Sequence, residues 1–324
     1  MIHFYSLPET ERSWPALPFA AELGTNGWKK WQPLKLYKPH TTTLSVPSQA
    51  YRVSVNPSHN PPLIMSQNIY DRQDFFTAYS EIIDRSGHKD LDNDLLWKRL
   101  RTLLPSSVEG FHILDVGCGS GWFARWAVDH GAASVTAVDI SHNMIAKARG
   151  LNGGDGTAYA TKIDYRIVDL DADPEGLVPR EEGTAYDLAF SGLTLHYLAR
   201  LGVLVAKVHA LLKPGAVFAV NVEHPVYTAP QRPRVVADAE TGEKSWNFSD
   251  YYNEGERVVD WLAPGLRKQH RTMQGYLDIF FQASFDLTGL IEMLPTKEEV
   301  EAGSVGEDEL LRPLFLMMGL RKRV

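Results

Sequence analysis

Cysteine occurs only once in the 324 residues, at Cys118. A lone thiol excludes an internal disulfide framework and fits a reducing compartment. Long apolar runs are missing as well, since none approaches the roughly 20 residues a membrane-spanning helix requires. The N-terminus lacks a basic segment followed by an unbroken apolar one, because Pro8, Glu9, Glu11, Arg12 and Pro15 interrupt it. No signal peptide and no membrane partner are therefore expected, and cytoplasm is the expected location. Histidine and cysteine pairs at zinc spacing are absent, so no metal is expected on that ground. Positive charge is in deficit, with 33 Lys and Arg against 40 Asp and Glu.

The deficit is unevenly spread. Residues 1–64 hold nine of the 19 prolines, show no sustained helical or strand period, and read as an extended or disordered arm. Six basic residues there oppose three acids, so within a chain total of −7 the remaining 260 residues carry −10. A body that acidic disfavours a nucleic-acid partner, because phosphate binding draws on cationic surface. The arm reads as a partner-binding tail, or as a poorly ordered extension before a true start at Met65. Residues 65–324, with ordinary hydrophobic content, read as one domain.

The organising stretch runs from Phe111 to Gly150. Phe111 to Val116 is an apolar run too short for a helix and bounded by glycine, which marks a buried parallel strand. Gly117, Gly119 and Gly121 follow, at positions where the chain must turn sharply and approach a ligand closely. Trp122 to His130 is apolar at helical spacing, and Ser134 to Val138 is a second strand ended by Asp139, 22 residues beyond Gly117. An acid there can accept hydrogen bonds from both hydroxyls of a ribose. The loop reads G-C-G-S-G with Asp115 two residues before it. That acid would repel the pyrophosphate of a dinucleotide and suits a ligand with a cationic end.

The segment Asp115 to Gly121 closely resembles the first motif of the class I S-adenosylmethionine-dependent methyltransferases. The resemblance extends through Asp139 and covers residues 65–324, with further motifs at Asp169 and in the Lys213-Pro214-Gly215 turn. It implies S-adenosylmethionine as cofactor. Asp115, Gly117, Gly119, Gly121, Asp139 and Ile140 match its binding loop and second strand. Asp169-Leu170, after the third strand Ile163 to Val168, match the position where an acid takes the adenine amino group; an N-cap for the segment beginning at Asp171 is the alternative. A helix starting near Asp74 would lie over the cofactor as a lid, with Tyr70 and Tyr79 on the methionine end and Arg85 on its carboxylate, or with the tyrosines merely covering the core edge. Leu91 to Leu104 is a further amphipathic helix, stopped by Pro105.

Tyr186 to Phe190 is the fourth strand, and Ser191 to His196 beyond it should line the methyl-transfer site, because ligands of open α/β sheets sit outside the carboxyl ends of the strands. Leu193 to Ala199 reads as a short helix, Leu201 to Leu212 as an amphipathic one, and Ala216 to Val222 as the fifth strand. The segment after the fourth strand lacks the tetrad of amino-methylating nucleic-acid enzymes and the double-glutamate loop of protein arginine methyltransferases. No acid cluster stands where catechol-type members hold magnesium.

Residues 223–271 are rich in aromatics and contain E223-H-P-V-Y227 and K268-Q-H-R271. By resemblance they form a cap inserted after the fifth strand, above the acceptor pocket, with a hairpin turned at Pro264-Gly265. Thr272 to Ala283 returns as a helix, and Asp286 to Met293 with Leu314 to Leu320 complete the sheet as an antiparallel pair. Lys297 to Glu309 reads as an exposed acidic loop. The expected fold is α/β, a Rossmann-like, doubly wound, mostly parallel seven-stranded sheet with an antiparallel last strand.

Methyl transfer from a sulfonium asks mainly for orientation and exclusion of water, with a base only where the acceptor must lose a proton. Histidine suits that task. His224 is the first candidate, His270 the second and His196 the third, while Arg271 and Arg267 are candidates for an acidic acceptor. The expected acceptor is a small molecule. A protein substrate, a non-catalytic cofactor-binding role and an NAD-dependent dehydrogenase are the rival readings.

Overall fold

Alternation of short β-branched runs with amphipathic helices sets the architecture. In the computed structural model, which describes residues 66–86, 91, 94–179, 183–301 and 305–324, with the side chains of 82–86 left aside, the elements follow in order. They are α1 (Gln73–Ser86), α2 (Leu95–Arg101), β1 (His112–Val116), α3 (Trp122–Asp129), β2 (Ser134–Asp139), α4 (His142–Gly150), α5 (Ala158–Lys162), β3 (Ile163–Ile167), β4 (Tyr186–Gly192), α6 (Leu201–Leu211) and β5 (Leu212–Glu223). After these come α7 (Pro225–Thr228), β6 (Val235–Ala237), β7 (Lys244–Trp246), β8 (Gly255–Trp261), β9 (Ala263–His270), α8 (Met273–Gln282), β10 (Phe285–Met293), α9 (Lys297–Glu301) and β11 (Phe315–Lys322). The proline-rich arm, Met65 and the Arg85 side chain lie outside the described residues.

Seven strands form one sheet in the order β10-β11-β5-β4-β1-β2-β3. β1 to β5 pair in parallel, and β11 runs antiparallel between β5 and β10. The expected Rossmann-like sheet with an antiparallel last strand is therefore observed. Order reverses between β1 and β4, which places the ligand-binding crevice above β1, β2 and β4.

Side chains of successive strand residues point to opposite faces, and the core divides accordingly. Ile113, Val135 and Ala137 pack with Trp97 of α2, Phe123 and Ala127 of α3 and Ile145 of α4. On the other face Leu114, Val116 and Val220 meet Leu204 and Val208 of α6 and Phe280 of α8. Burial on both faces explains why β1, β2, β4 and the second half of β5 read as largely apolar runs, whereas β3, at the sheet edge, carries Asp164 and Arg166.

Local chemistry sets several boundaries. Ser141 caps α4 by accepting the Met144 N–H, and Thr272 caps α8 through the Gly275 N–H. α2 is shorter than the expected Leu91 to Leu104, because Leu103 and Leu104 bond three residues back and tighten the final turn. Leu193 to Ala199 contains only a 3₁₀ turn, Leu195–Tyr197. The expected acidic loop carries α9, opened by a reciprocal pair in which Thr296 and Glu299 side chains each accept the other's backbone N–H. The hairpin of β8 and β9 turns at Leu262, whose φ is 59°, with Trp261 opposite Ala263. Pro264-Gly265 therefore lies within β9, one step past the turn it was expected to make.

Candidate functional site

Four of the five parallel strands bring a carboxylate to the same edge of the sheet: Asp115 in β1, Asp139 ending β2, Asp169 just beyond β3 and Glu223 ending β5. Between the first two lies the glycine loop. Gly117, Gly119 and Gly121 have φ of 77°, 52° and 74°, which residues with a Cβ adopt only at a cost. A Cβ on Gly117 would overlap the Thr194 side chain, and one on Gly121 the Tyr165 hydroxyl. Backbone groups fix the loop: Gly117 N–H and Cys118 N–H both donate to the Val138 carbonyl. Ser191 Oγ donates to the Val116 carbonyl at 2.8 Å and Thr194 Oγ1 to the Gly117 carbonyl at 3.2 Å. Ser191 thus ties β4 to the start of the loop.

Asp139 accepts the Gly119 N–H on Oδ2 and the Ser141 N–H on Oδ1, each at 2.9 Å. It joins the glycine loop to the start of α4. Asp115 is only 1% exposed, and its Oδ2 has no hydrogen-bond partner. Burial, and next the neighbouring Asp139, push its carboxyl well above the usual range; burial also raises Asp139. Two desolvated acids beside an open acceptor oxygen make a site that repels phosphate and rewards a cation. S-adenosylmethionine fits it, having an ammonium and a sulfonium and no phosphate. Asp115 and the loop would hold its amino-acid end, and Asp139 its ribose.

A strap of residues 66–72 crosses this edge. Ser66 Oγ donates to Asp169 Oδ1 at 2.7 Å, and Asn68 Nδ2 to the Ile140 carbonyl at 3.3 Å. Gln67 bonds the hairpin twice, donating to the Gly265 carbonyl and accepting the Arg267 N–H. Asp71 accepts from Ser141 Oγ at 2.6 Å, from the backbone of Asn143 at 2.9 Å and from that of His142 at 3.2 Å, so it reaches across to the N-terminus of α4. Although burial works against it, these bonds lower its carboxyl to about 2.

Tyr70 of the strap and Tyr79 of α1 lie in a cluster with Phe75, Tyr197 and Trp261. Tyr70 and Tyr197 meet hydroxyl to hydroxyl at 3.3 Å. The charge of Asp139 reaches both Tyr70 and Tyr79. Asp169 Oδ1 accepts the N–H groups of Asp171 and Ala172, so one oxygen serves the turn, while Oδ2 has no partner among the described residues. The Leu170 side chain is core.

The three histidines are brought to different places. His224 caps α7, its Nδ1 accepting the Val226 N–H while Nε2 meets Glu292 Oε1 at 2.9 Å. His270 is fully buried, with Nδ1 on Thr228 Oγ1 at 2.8 Å and Nε2 on the Tyr251 carbonyl at 2.9 Å. Both rings have both nitrogens engaged. His196 accepts the Glu223 N–H on Nδ1 at 3.4 Å, and its Nε2 has no partner among the described residues. Burial holds it neutral, down to about 4. Arg271 is buried and donates to the Leu198 and Ala199 carbonyls, whereas Arg267 is at the surface, 3.8 Å from Glu256.

Between these groups sits a pair that the sequence reading passed over. Lys268 Nζ lies 2.5 Å from Glu223 Oε1, with side chains 5% and 15% exposed. Its ammonium stands 5.8 Å from the ring centroids of both Tyr227 and Trp261. A signal for Glu223 existed: it is the fourth acid in line at the strand ends, immediately before His224. Asp71 and Thr194 carried no comparable signal, since each acts on residues about 70 positions away. Among the described residues no His, Cys, Asp and Glu group could hold a metal ion, and no helix is long and apolar enough to cross a membrane.

Residues 114–220 match the family model described as a methyltransferase domain. The crystal structure of an S-adenosylmethionine dependent methyltransferase from Mesorhizobium loti is similar to 72% of this chain and to 100% of its own, at 39% identity and a TM-score of 0.61. A malonyl-[acyl-carrier protein] O-methyltransferase from Buchnera aphidicola is 30% identical over 35% of this chain, and a ubiquinone biosynthesis O-methyltransferase from Bordetella avium is 30% identical over 35%. Those two alignments span only 41% and 42% of the relatives' lengths.

Proposed function

Because the chain belongs to the S-adenosylmethionine-dependent methyltransferases, we propose that it methylates a small-molecule acceptor, held in the cleft between the cofactor and the β6 to β9 region, which serves as a cap. The cofactor supplies an activated methyl group, so the protein's work is orientation and dryness. Asp115, with its open buried oxygen, takes the cationic amino-acid end, and Asp139 takes the ribose hydroxyls. Asp169 Oδ2 is assigned the adenine amino group. The aromatic cluster of Tyr70, Tyr79, Tyr197 and Trp261 keeps water from the transfer path.

The observation that carries this reading is the acid-lined glycine loop with its unpaired Asp115 oxygen. The partial likeness to two O-methyltransferases supports oxygen as the receiving atom. The dehydrogenase reading falls with the family assignment. Incubating the protein with methyl-labelled cofactor and a fractionated cell extract tests the proposal. Label should enter the small-molecule fraction; label confined to protein would replace the proposal with protein methylation.

A further inference from the structure

We infer that Glu223, not a histidine, receives the acceptor, and that its free oxygen selects an acceptor bearing a neutral hydroxyl on an aromatic body over one that presents a carboxylate. The inference rests on the cleft being a methyl-transfer site. Glu223 ends β5 at the ligand-binding edge, beside the end of β4, where Gly192 pairs with Asn221. Its Oε1 is taken by Lys268, but its Oε2 is buried with no partner. A desolvated carboxylate oxygen of this kind requires a donor.

The surrounding groups supply the opposite polarity. His196 Nδ1 accepts the Glu223 N–H, so the neutral ring carries its proton on Nε2 and is a donor with no partner among the described residues. It therefore has no free lone pair with which to act as a base. The same tautomer logic removes His224, whose Nδ1 accepts a backbone N–H, and His270, whose Nε2 faces a carbonyl. Lys268 has one hydrogen-bond partner for three protons. One open acceptor with donors beside it matches a hydroxyl, which donates to Oε2 and accepts from a neighbour. A carboxylate only accepts, and would set its charge against Oε2. Tyr197, Tyr227 and Trp261 supply flat apolar walls.

In transfer the acceptor oxygen forms its bond to the methyl carbon. The carbon–sulfur bond breaks with its electron pair left on sulfur, and the hydroxyl proton passes to Glu223 Oε2 and then to solvent. Lys268 is a positioning residue that keeps Glu223 ionised; against the opposing effect of burial it holds that carboxyl below its ordinary value.

The test is calorimetric binding to the complex of the full chain with S-adenosylhomocysteine, using para-ethylphenol and para-ethylbenzoate as probes. The phenol should bind about tenfold tighter than the benzoate, and Glu223→Gln should remove most of that preference while leaving S-adenosylhomocysteine affinity unchanged. The inference is overturned by benzoate binding as well as phenol, by neither probe binding, or by an unaltered preference in a folded Glu223→Gln protein. Should that variant not fold, the preference of the unaltered protein decides alone. Failure of S-adenosylhomocysteine itself to bind would instead defeat the functional reading on which the inference depends.

Discussion

Replacing Asp71 with Asn tests the strap that crosses the carboxylate-lined edge of the sheet. The carboxylate accepts from Ser141, His142 and Asn143 at the N-terminus of α4, and from Asn68 on its own strap. Its carboxyl falls from 3.8 to about 2 on folding, which corresponds to about 2 kcal/mol in favour of the charged form. With the side chain 27% exposed, solvent screening reduces the expected loss in Asp71→Asn to about 1–2 kcal/mol. The sign follows from linkage. A carboxyl with a depressed folded pKa stabilises fully above its unfolded value, and that contribution disappears as pH falls from about 4 through about 2. Urea unfolding of both proteins should show the full gap at neutral pH and about half of it by about pH 3. A gap that stays constant or widens on acidification would refute the reasoning. S-adenosylmethionine affinity should fall with the stability, since the strap is tied to Ile140 and Asp169 on either side of the proposed nucleoside site.

Three further substitutions discriminate among roles. Gly121→Ala forces a Cβ against the Tyr165 hydroxyl at a φ of 74° and should cost at least about 2 kcal/mol by thermal or urea unfolding. Asp139→Ala removes the bonds to Gly119 and Ser141 together with the ribose acceptor. It should weaken S-adenosylhomocysteine binding by about 1–3 kcal/mol, read by calorimetry, and unchanged affinity would remove it from the site. His224→Ala should lose the α7 cap and the Glu292 contact at about 1 kcal/mol of stability, with cofactor affinity intact. Loss of methyl transfer at unaltered stability would return His224 to the site.

The sheet was legible because β1, β2, β4 and the second half of β5 are largely buried and end in, or run straight into, glycine or an acid, so periodicity and punctuation agree. The conformation of the glycine loop was legible for the same reason: three glycines and two acids at fixed spacing serve one backbone path. What failed to show was pairing at long range. Histidine chemistry pointed to His224 and His270, but only folding reveals that a backbone N–H, a hydroxyl, a carbonyl and Glu292 already occupy their nitrogens. Asp71 drew no notice in the sequence, yet it serves a helix 70 residues on. Lys268 and Glu223, 45 positions apart, carry no joint signal in sequence. The hairpin turn was misplaced because Pro264-Gly265 is a stronger local signal than Leu262, whose left-handed backbone is imposed by the pairing of β8 with β9.

Parallel calorimetric titrations of the purified chain with S-adenosylmethionine, S-adenosylhomocysteine and NAD test the central claim most directly. The acid-lined loop predicts one-to-one binding of the first two and none of the third, with Asp139→Ala weakening both. Binding of NAD in the absence of the others would contradict the account.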